Sequence, residues 1–560
     1  MVTALNKTVV VLGLSYGGAH GARTLSQKLP KGWRVVCIDR NTHFNHLYVL
    51  PRFAVVPGHE HKAFIPYQPM LTLSDPMPLA ETVLLHAHVT SLSPKSLTLS
   101  RAFPEHGIKE PERKLHFDYA LYALGSHLPA PINLWGPVGN DPDVFAVTKG
   151  MAQDVVGKRQ TPTALADAES SSYEGTKPEG ISWLQGFGAR IESASSILVV
   201  GGGPLGVQYS TDIKERFPSK HVTLLHSRAQ LLPTFVKGMH DEIMSTLTEL
   251  DIPTILGDRL DLASVKEGRT VINPDGKRER VVRTVSGREV RAELILLCTG
   301  QVPNTGLMAQ AVPEALISEG SKKGQTRVAR TMQVAVPAKS DGTESIQAAL
   351  SGLSLSDKRA QNEGDEPVHV PYPNLFAVGD AVDGYGANNA GRNSHYMADV
   401  AVKNILKLIE QSEQGGSGDV ELEKYVPGPL SKAIKISLGM RKQLVQNDEG
   451  KAVTSMDGVE DLRAPSMWEL YGVSTDDMHR MPSHGSRTTG SAAGAKTSQS
   501  DAARIQAGQA KAGGDMGKGG FAARAQGAAA RNAAAGAATP ATPPNSSAPG
   551  AKAGAAKGTK

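Results

Sequence analysis

Two stretches of this 560-residue chain repeat one order of elements: apolar strand, glycine-rich turn, helix, second apolar strand. The first begins at Thr8-Val9-Val10-Val11-Leu12 and turns through Gly13-Leu14-Ser15-Tyr16-Gly17-Gly18. Ala19 to Leu29 is compatible with a helix, Pro30-Lys31-Gly32 stops it, and a strand from Arg34 to Ile38 ends at Asp39. The second begins at Ser196-Ile197-Leu198-Val199-Val200 and turns through Gly201-Gly202-Gly203-Pro204-Leu205-Gly206. A helix from Val207 to Phe217 follows, stopped by Pro218, and the strand His221 to Leu225 ends at His226. Unbroken β-branched runs suit a parallel strand buried on both faces. A pair of such units about 190 residues apart confines the chain to an α/β class with two dinucleotide-binding, Rossmann-like domains.

The second turn matches G-x-G-x-x-G between a strand and a helix. Gly201 allows the tight turn, Gly203 a close backbone approach to a pyrophosphate, and Gly206 close helix–sheet packing. The anion would sit on the helix N-terminus, where free N–H groups and the helix dipole meet it. The first turn departs, with Ser15 at the second glycine position, so its side chain is expected to narrow the pyrophosphate approach. Asp39 compensates, because a carboxylate at the end of the second strand accepts bonds from ribose hydroxyls. At the matching place the second unit has His226-Ser227-Arg228. Nothing acidic there selects against a ribose 2′-phosphate, and Arg228 can pair with one, so NADPH is expected to serve at least as well as NADH.

Composition narrows the rest. The formal charge is +5, but Pro482 to Lys560 carries +8 of it and is about half Ala and Gly, which leaves a slightly acidic body. The tail has only Ile505, Met516 and Phe521 as larger apolar residues, so it is expected to be disordered. Two cysteines, Cys37 and Cys298, exclude a disulfide scaffold, a zinc ribbon, an all-cysteine iron–sulfur site and a Cys-x-x-Cys dithiol. His43, His46, His59 and His61 match no common metal spacing, so no metal site is expected. No run of 18 apolar residues suggests a spanning helix, and the N-terminus shows no secretory segment.

The expected organisation is a first nucleotide domain from 1–150 and 364–415, an insert at 151–192, and a second nucleotide domain at 193–336. A polar insert follows at 337–373, then a small C-terminal α+β region at 416–481 and the tail at 482–560. Asn374 to Asp380 reads as a strand ending in Gly-Asp, Arg392 to Glu410 as a helix, and Ile434, Ile436 and Leu438 alternate as in a half-buried strand.

Further segments carry a family likeness. Arg52-Phe53-Ala54-Val55-Val56-Pro57-Gly58, Lys62 to Tyr67, Tyr122-Ala123-Leu124-Gly125-Ser126, Val222 to Ser227, Leu297-Cys298-Thr299-Gly300 and Asn374 to Asp380 join the two turns. From about Thr8 to Met481 the chain resembles the two-dinucleotide flavoproteins of the pyridine nucleotide–disulfide oxidoreductase superfamily. Within it the likeness is to the apoptosis-inducing-factor-like branch, the ferroptosis suppressor proteins, with type II NADH dehydrogenases more distant. The resemblance implies FAD in the first domain and NADH or NADPH in the second. Gly13, Leu14, Ser15, Tyr16, Gly17, Gly18, Asp39 and Arg40 would hold FAD, with Arg52, Val89, Gly125 and Asp380 also on it. Gly201, Gly203, Pro204, Leu205, Gly206, His226, Arg228 and Gly300 would hold the nicotinamide dinucleotide. Members commonly carry Glu two residues after the last glycine of the second turn; here it is Gln208, which cannot ionise near neutral pH. Val2 leaves no myristoylation acceptor.

The implied activity is hydride transfer from NAD(P)H to flavin, with electrons passed on to an acceptor, by family likeness a quinone. Residues after Leu422 are candidates for a quinone site or peripheral membrane contact, and a cytoplasmic location is expected, with a membrane surface or mitochondrion as alternatives. Two other readings remain. One is an FAD-dependent monooxygenase; the other is a nucleic-acid-associated factor using its basic tail, against which the scattered charges and missing aromatic interleaving argue.

Overall fold

The computed structural model describes residues 7–72, 80–127, 175–338, 367–416 and 420–479, all within one compact unit. The expected disordered tail, and most of the 151–192 and 337–373 inserts, lie outside the described residues.

The first unit is built on β1 (Lys7–Leu12), α1 (Tyr16–Lys28), β2 (Trp33–Asp39), β3 (Glu81–His86) and β4 (Tyr119–Tyr122). Val9 to Leu12 are fully buried, as a strand covered on both faces requires. The second unit has α2 (Lys177–Ser193), β5 (Ser196–Val200), α3 (Pro204–Arg216), β6 (His221–His226), β7 (Thr254–Leu256) and β8 (Leu294–Leu297). The chain then returns to the first unit as β9 (Leu375–Ala377) and α4 (Gly391–Glu413). Both sheets are parallel throughout, in the orders β9-β4-β1-β2-β3 and β7-β6-β5-β8. Each order reverses at the strand that precedes a glycine turn. That is where an open α/β sheet leaves a crevice at its carboxyl ends.

Three boundaries differ from those expected. The stretch 151–192 ends in a 17-residue helix, α2, closed at its start by a Thr176–Glu179 capping box. Its Ile181, Leu184, Phe187 and Ile191 join the second core. The polar residues between them hide this periodicity. The second domain ends earlier than 336: Leu307, Met308, Val312, Val328, Met332 and Val334 pack into the first core. The C-terminal region contributes residues to both cores. Its antiparallel strands β10 (Ile434–Leu438), β11 (Lys442–Gln446) and β12 (Ala452–Ser455) are followed by a short helix, Pro465–Leu470. Ile436, Leu438 and Leu444 belong to the second core, while Trp468, Tyr471 and Met478 belong to the first. Ile436 and Leu438 are therefore internal, not on a docking surface. Among the described residues, no helix is long and apolar enough to cross a membrane.

One wholly buried ion pair joins stretches far apart in the chain. Arg52, wholly buried, donates to both carboxylate oxygens of Asp212 on α3 at 2.8 and 3.0 Å. Its remaining N–H groups reach the carbonyls of Gly439 (2.6 Å), Glu460 (3.4 Å) and Val459 (3.5 Å). Removing one partner of such a pair strands the other charge. Arg52→Ala is therefore expected to cost about 3–5 kcal/mol in chemical denaturation. The double change Arg52→Met, Asp212→Leu should cost less than the two single changes added together, which a double-mutant cycle would measure.

Candidate functional site

The two glycine turns have nearly the same backbone. Gly13 and Gly201 open them with φ of +85° and +118°, a region that excludes most side chains. A Cβ on Gly18 would lie 1.9 Å from the Gly13 carbonyl oxygen, and one on Gly206 1.8 Å from that of Gly201. These glycines are internal packing of the turn. The third position differs in kind. Ser15 (φ −76°, ψ −177°) and Gly203 (φ −82°, ψ −177°) are both extended helix caps, and a Cβ on Gly203 meets nothing within 4 Å. Ser15 therefore holds the geometry without strain, and the expected narrowing comes down to one small side chain. Both helices start without a side-chain cap and without an acidic first turn. Their leading N–H groups and the positive dipole end suit a phosphate.

Each turn is also closed the same way from the end of the next strand. Asp39 Oδ2 accepts from the Leu14 amide at 2.7 Å and from the Tyr67 hydroxyl at 3.2 Å; Oδ1 accepts from Asn41 N at 2.8 Å. Burial pushes the Asp39 carboxyl pKa up, and those hydrogen bonds oppose the shift. A carboxylate has about four acceptor sites, so Oδ1 retains one for a ribose hydroxyl. His226 takes the corresponding place: its Nδ1 accepts from the Gly202 amide at 3.0 Å. Its Nε2 lies 3.1 Å from the Gln230 carbonyl and must donate to it. Both ring nitrogens are then satisfied. His226, proposed from the sequence as a cofactor contact, supports the turn through these two bonds. Arg228, two residues on, is exposed.

Beside the first turn, a narrow polar crevice lies at the start of α4. Gly379, Asp380, Asn388, Asn393, Ser394 and Met397 are among its lining residues. A Cβ on Gly17 would lie 2.8 Å from the Ser394 carbonyl oxygen, and one on Gly391 would meet the Tyr16 ring at 2.4 Å, so α1 and α4 start side by side. Asp380 is buried, which raises its carboxyl pKa, while the Ser126 hydroxyl donates to it at 3.0 Å and opposes that shift. Asn393 is also buried. Its Nδ2 donates to the carbonyls of Asn388 and Ser431, and its Oδ1 has no partner. An uncapped 23-residue helix and an orphaned amide oxygen beside a phosphate-type turn fit a polar cofactor ring and its linker.

Gly125 and Gly300, after β4 and β8, both have positive φ with open space where a Cβ would stand. Asn304 joins the two units beside them: Nδ2 donates to Leu124 O at 2.8 Å and its amide to Gly125 O at 2.9 Å. His127 Nδ1 lies 2.7 Å from Asn304 Oδ1, and Tyr122 donates to the Asn304 carbonyl at 2.5 Å. The sequence reading missed Asn304, Asn393 and Ser126, because each matters only through partners distant in the chain.

Other assigned residues fall as follows. Arg52, proposed from the sequence as an FAD contact, is here engaged by Asp212 and three carbonyls, and its neighbours Val49, Leu50 and Phe53 pack in the second core. Val89 is half-buried against the first core at the strand end near Asp39, whose carbonyl accepts from Ala87 N. The Arg40 carbonyl lies 2.8 Å from His86 Nε2. Pro204 and Leu205 form the first turn of α3. Gln208 is buried and donates to Ser437 of β10 at 3.1 Å. The four histidines diverge: His43 packs on Phe64, His46 meets the Tyr16 hydroxyl, His59 meets Glu460 and His61 stacks on His479. Among the described residues, no group of three metal-ligating side chains comes together. Cys37 and Cys298 are buried; burial pushes the Cys37 thiol up to about 12 and the Cys298 thiol upward as well, so neither is a ready thiolate.

Comparison with known proteins agrees with this geometry. Residues 7–338 match the family described as pyridine nucleotide-disulphide oxidoreductase. Fe-regulated protein 8 of Mycosarcoma maydis is 37% identical, over 84% of this chain and 96% of its own. Ferroptosis suppressor protein 1 of Taeniopygia guttata is 24% identical, over 83% and 95%. Among solved structures, the sulfide:quinone oxidoreductase of Aquifex aeolicus shares the fold with a TM-score of 0.50 and 15% identity, over 83% of this chain and 90% of that one. The chain therefore belongs to the pyridine nucleotide-disulphide oxidoreductase family, in the branch of the ferroptosis suppressor proteins.

Proposed function

We propose that the protein is an FAD-dependent NAD(P)H oxidoreductase whose electron acceptor is a quinone. The observation that carries this reading is the pair of turns with matched backbones, each ending in an uncapped helix start and each at the reversal point of a parallel sheet. When bound, FAD would take a hydride from the nicotinamide and release electrons one or two at a time. The chain's part is to bind and orient. The α1 amides would hold the FAD pyrophosphate, and Asp39 would take its ribose through the free site on Oδ1. Asp380, Asn393 and the α4 start would hold the linker and ring. Gly203 and the α3 amides would hold the second pyrophosphate.

The acceptor follows from what the thiols cannot do. The family name includes disulfide chemistry, which needs an accessible pair of cysteines. This chain has two, buried on different units. A small diffusible acceptor is left, and the family likeness favours a quinone. NADPH is accepted as well as NADH, because the β6 end has no carboxylate and Arg228 is exposed beside it.

The purified protein should be yellow and should oxidise NAD(P)H faster when a short-chain quinone is added. A colourless protein that FAD cannot reconstitute would overturn the cofactor assignment, and a rate indifferent to quinone would overturn the acceptor. Gly203→Ala should leave the melting temperature unchanged but raise the KM for NAD(P)H about tenfold, because its methyl stands only where the pyrophosphate approaches. Gly206→Ala, whose methyl meets the Gly201 carbonyl, should instead destabilise the fold by about 1–3 kcal/mol. Arg228→Ala should lower kcat/KM for NADPH about tenfold and leave NADH nearly unchanged.

A further inference from the structure

The last described stretch, residues 465–479, is held down by side chains from distant parts of the chain. Trp468 Nε1 donates to the Lys62 carbonyl at 2.9 Å, and Arg23 of α1 donates to the Leu470 carbonyl at 3.3 Å. Lys177, wholly buried at the start of α2, donates to the Met478 carbonyl at 2.6 Å, and its ammonium lies 4.8 Å from the Trp468 ring centroid. The Tyr471 ring packs on Phe44 at 5.1 Å, and Phe44 in turn meets the Tyr16 ring of the first glycine turn at 4.8 Å. The stretch is thus a strap packed against the first turn through Phe44.

Two stacked pairs of imidazoles fasten this strap. His61 lies 3.9 Å, centroid to centroid, from His479 of the strap, and His61 Nε2 is buried without a partner. His395 of α4 lies 4.7 Å from His20 of α1 with the rings 10° apart, and its Nε2 is 3.4 Å from the Tyr471 hydroxyl. Stacked rings pack well while neutral, but a proton on each sets two cations face to face. The surroundings act in the same sense. Burial first, then His479, Lys177, Lys62 and His59, push the His61 pKa down to about 4. Burial and then His20 push that of His395 down to about 4 as well, opposed by Asp399 and the Tyr16 carbonyl. His43, which Lys177 also faces, is buried and pushed down to about 3. The nearby carboxylates are engaged: Asp461 by Lys62 at 2.7 Å, Glu460 by His59 at 3.4 Å, Glu60 by the Gly58 amide at 3.0 Å and Asp399 by His20 at 2.7 Å. Asp477 acts on Lys177, and Glu469 and Asp476 are exposed.

We infer that the strap is an acid-sensitive latch: neutral imidazoles hold it closed, and protonation of the stacked pairs His61–His479 and His20–His395 drives residues 465–479 off the first glycine turn. The direction follows from linkage. In a released strap the rings of His61 and His395 regain water and titrate near their ordinary value of 6.5. Opening therefore takes up protons in the range between 6.5 and about 4. Closure is complete above that range and is lost progressively as the pH falls through it. The cations already in place, Arg23, Lys62 and Lys177, oppose each added proton. Once the strap leaves Phe44, the first turn loses its cover, and a cofactor held there escapes. That last consequence rests on the FAD site proposed above; the latch itself does not.

Amide hydrogen exchange of the full chain, corrected for the intrinsic pH dependence of exchange, would be followed at pH 7.5 and pH 5.0 in peptides from the strap, β1 and β5. In the parent, protection of the strap should fall at least about tenfold at the lower pH while β1 and β5 keep theirs. His479→Gln and His395→Gln each remove one titrating ring from a stacked pair. With both, strap protection should stay within about threefold of its value at the higher pH. His479→Gln alone, at an exposed position that the fold tolerates, should already lessen the fall. Strap protection that is indifferent to pH in the parent, or that falls as far in the double variant, would overturn the latch, as would loss of strap and core protection together. In flavin-loaded parent, FAD release followed by its fluorescence should be about tenfold faster at the lower pH and should stay slow in the double variant. Equally fast release from both would overturn the link to the cofactor. A chain that binds no FAD would overturn the proposed function and leave the exchange result to decide the latch.

Discussion

The Arg52–Asp212 pair is a wholly buried contact that ties together stretches far apart in the chain. Its guanidinium comes from a segment whose Val49, Leu50 and Phe53 pack in the second core, its carboxylate from α3, and its remaining carbonyl partners from the C-terminal hairpin and the loop after it. Two bare ions in that position would be costly to bury, by several kcal/mol each after relaxation. Bidentate geometry and the three additional carbonyls offset that cost. The pair therefore adds little net stability, but it admits one assembly. A shift of any partner leaves a buried charge or carbonyl unmatched. It also fixes α3, which begins at the second glycine turn, against the Arg52 segment and the C-terminal hairpin.

That arrangement explains why the C-terminal strands are not a detachable domain. Ile436, Leu438 and Leu444 fill the second core while Trp468 and Tyr471 fill the first. The strand that alternation marked as half-buried is covered on both faces at its end, because Ser437 also turns inward to meet Gln208. The departure at Gln208 has a structural use in that contact. A carboxylate in its place could accept from Ser437 but would carry a buried charge.

What the sequence revealed was mostly local. Strand, turn and helix succeed one another within about 25 residues at each turn, and glycine identities report backbone that no side chain permits. The helices at α1, α3 and α4 lie within a few residues of the expected bounds. Three things were hidden. Arg52 and Asp212 are 160 positions apart, so sequence offered only an arginine in a family-like segment. The α2 helix buries one narrow face, and its many small and polar residues read as a loop. Asn304 acts through Leu124 and Gly125, some 180 positions upstream. At Ser15 pattern matching asks for glycine, yet the backbone at that cap is ordinary for any residue.

The two units are best understood as one device whose closure has diverged. Both need their second amide held, because a free N–H in that tight turn could swing toward solvent and carry the helix start with it. In the first unit the holder is an acid that keeps an acceptor site for ribose. In the second it is an imidazole with none to spare. The two units thus hold the same amide with different groups, a carboxylate in one and in the other an imidazole whose ring nitrogens both meet backbone.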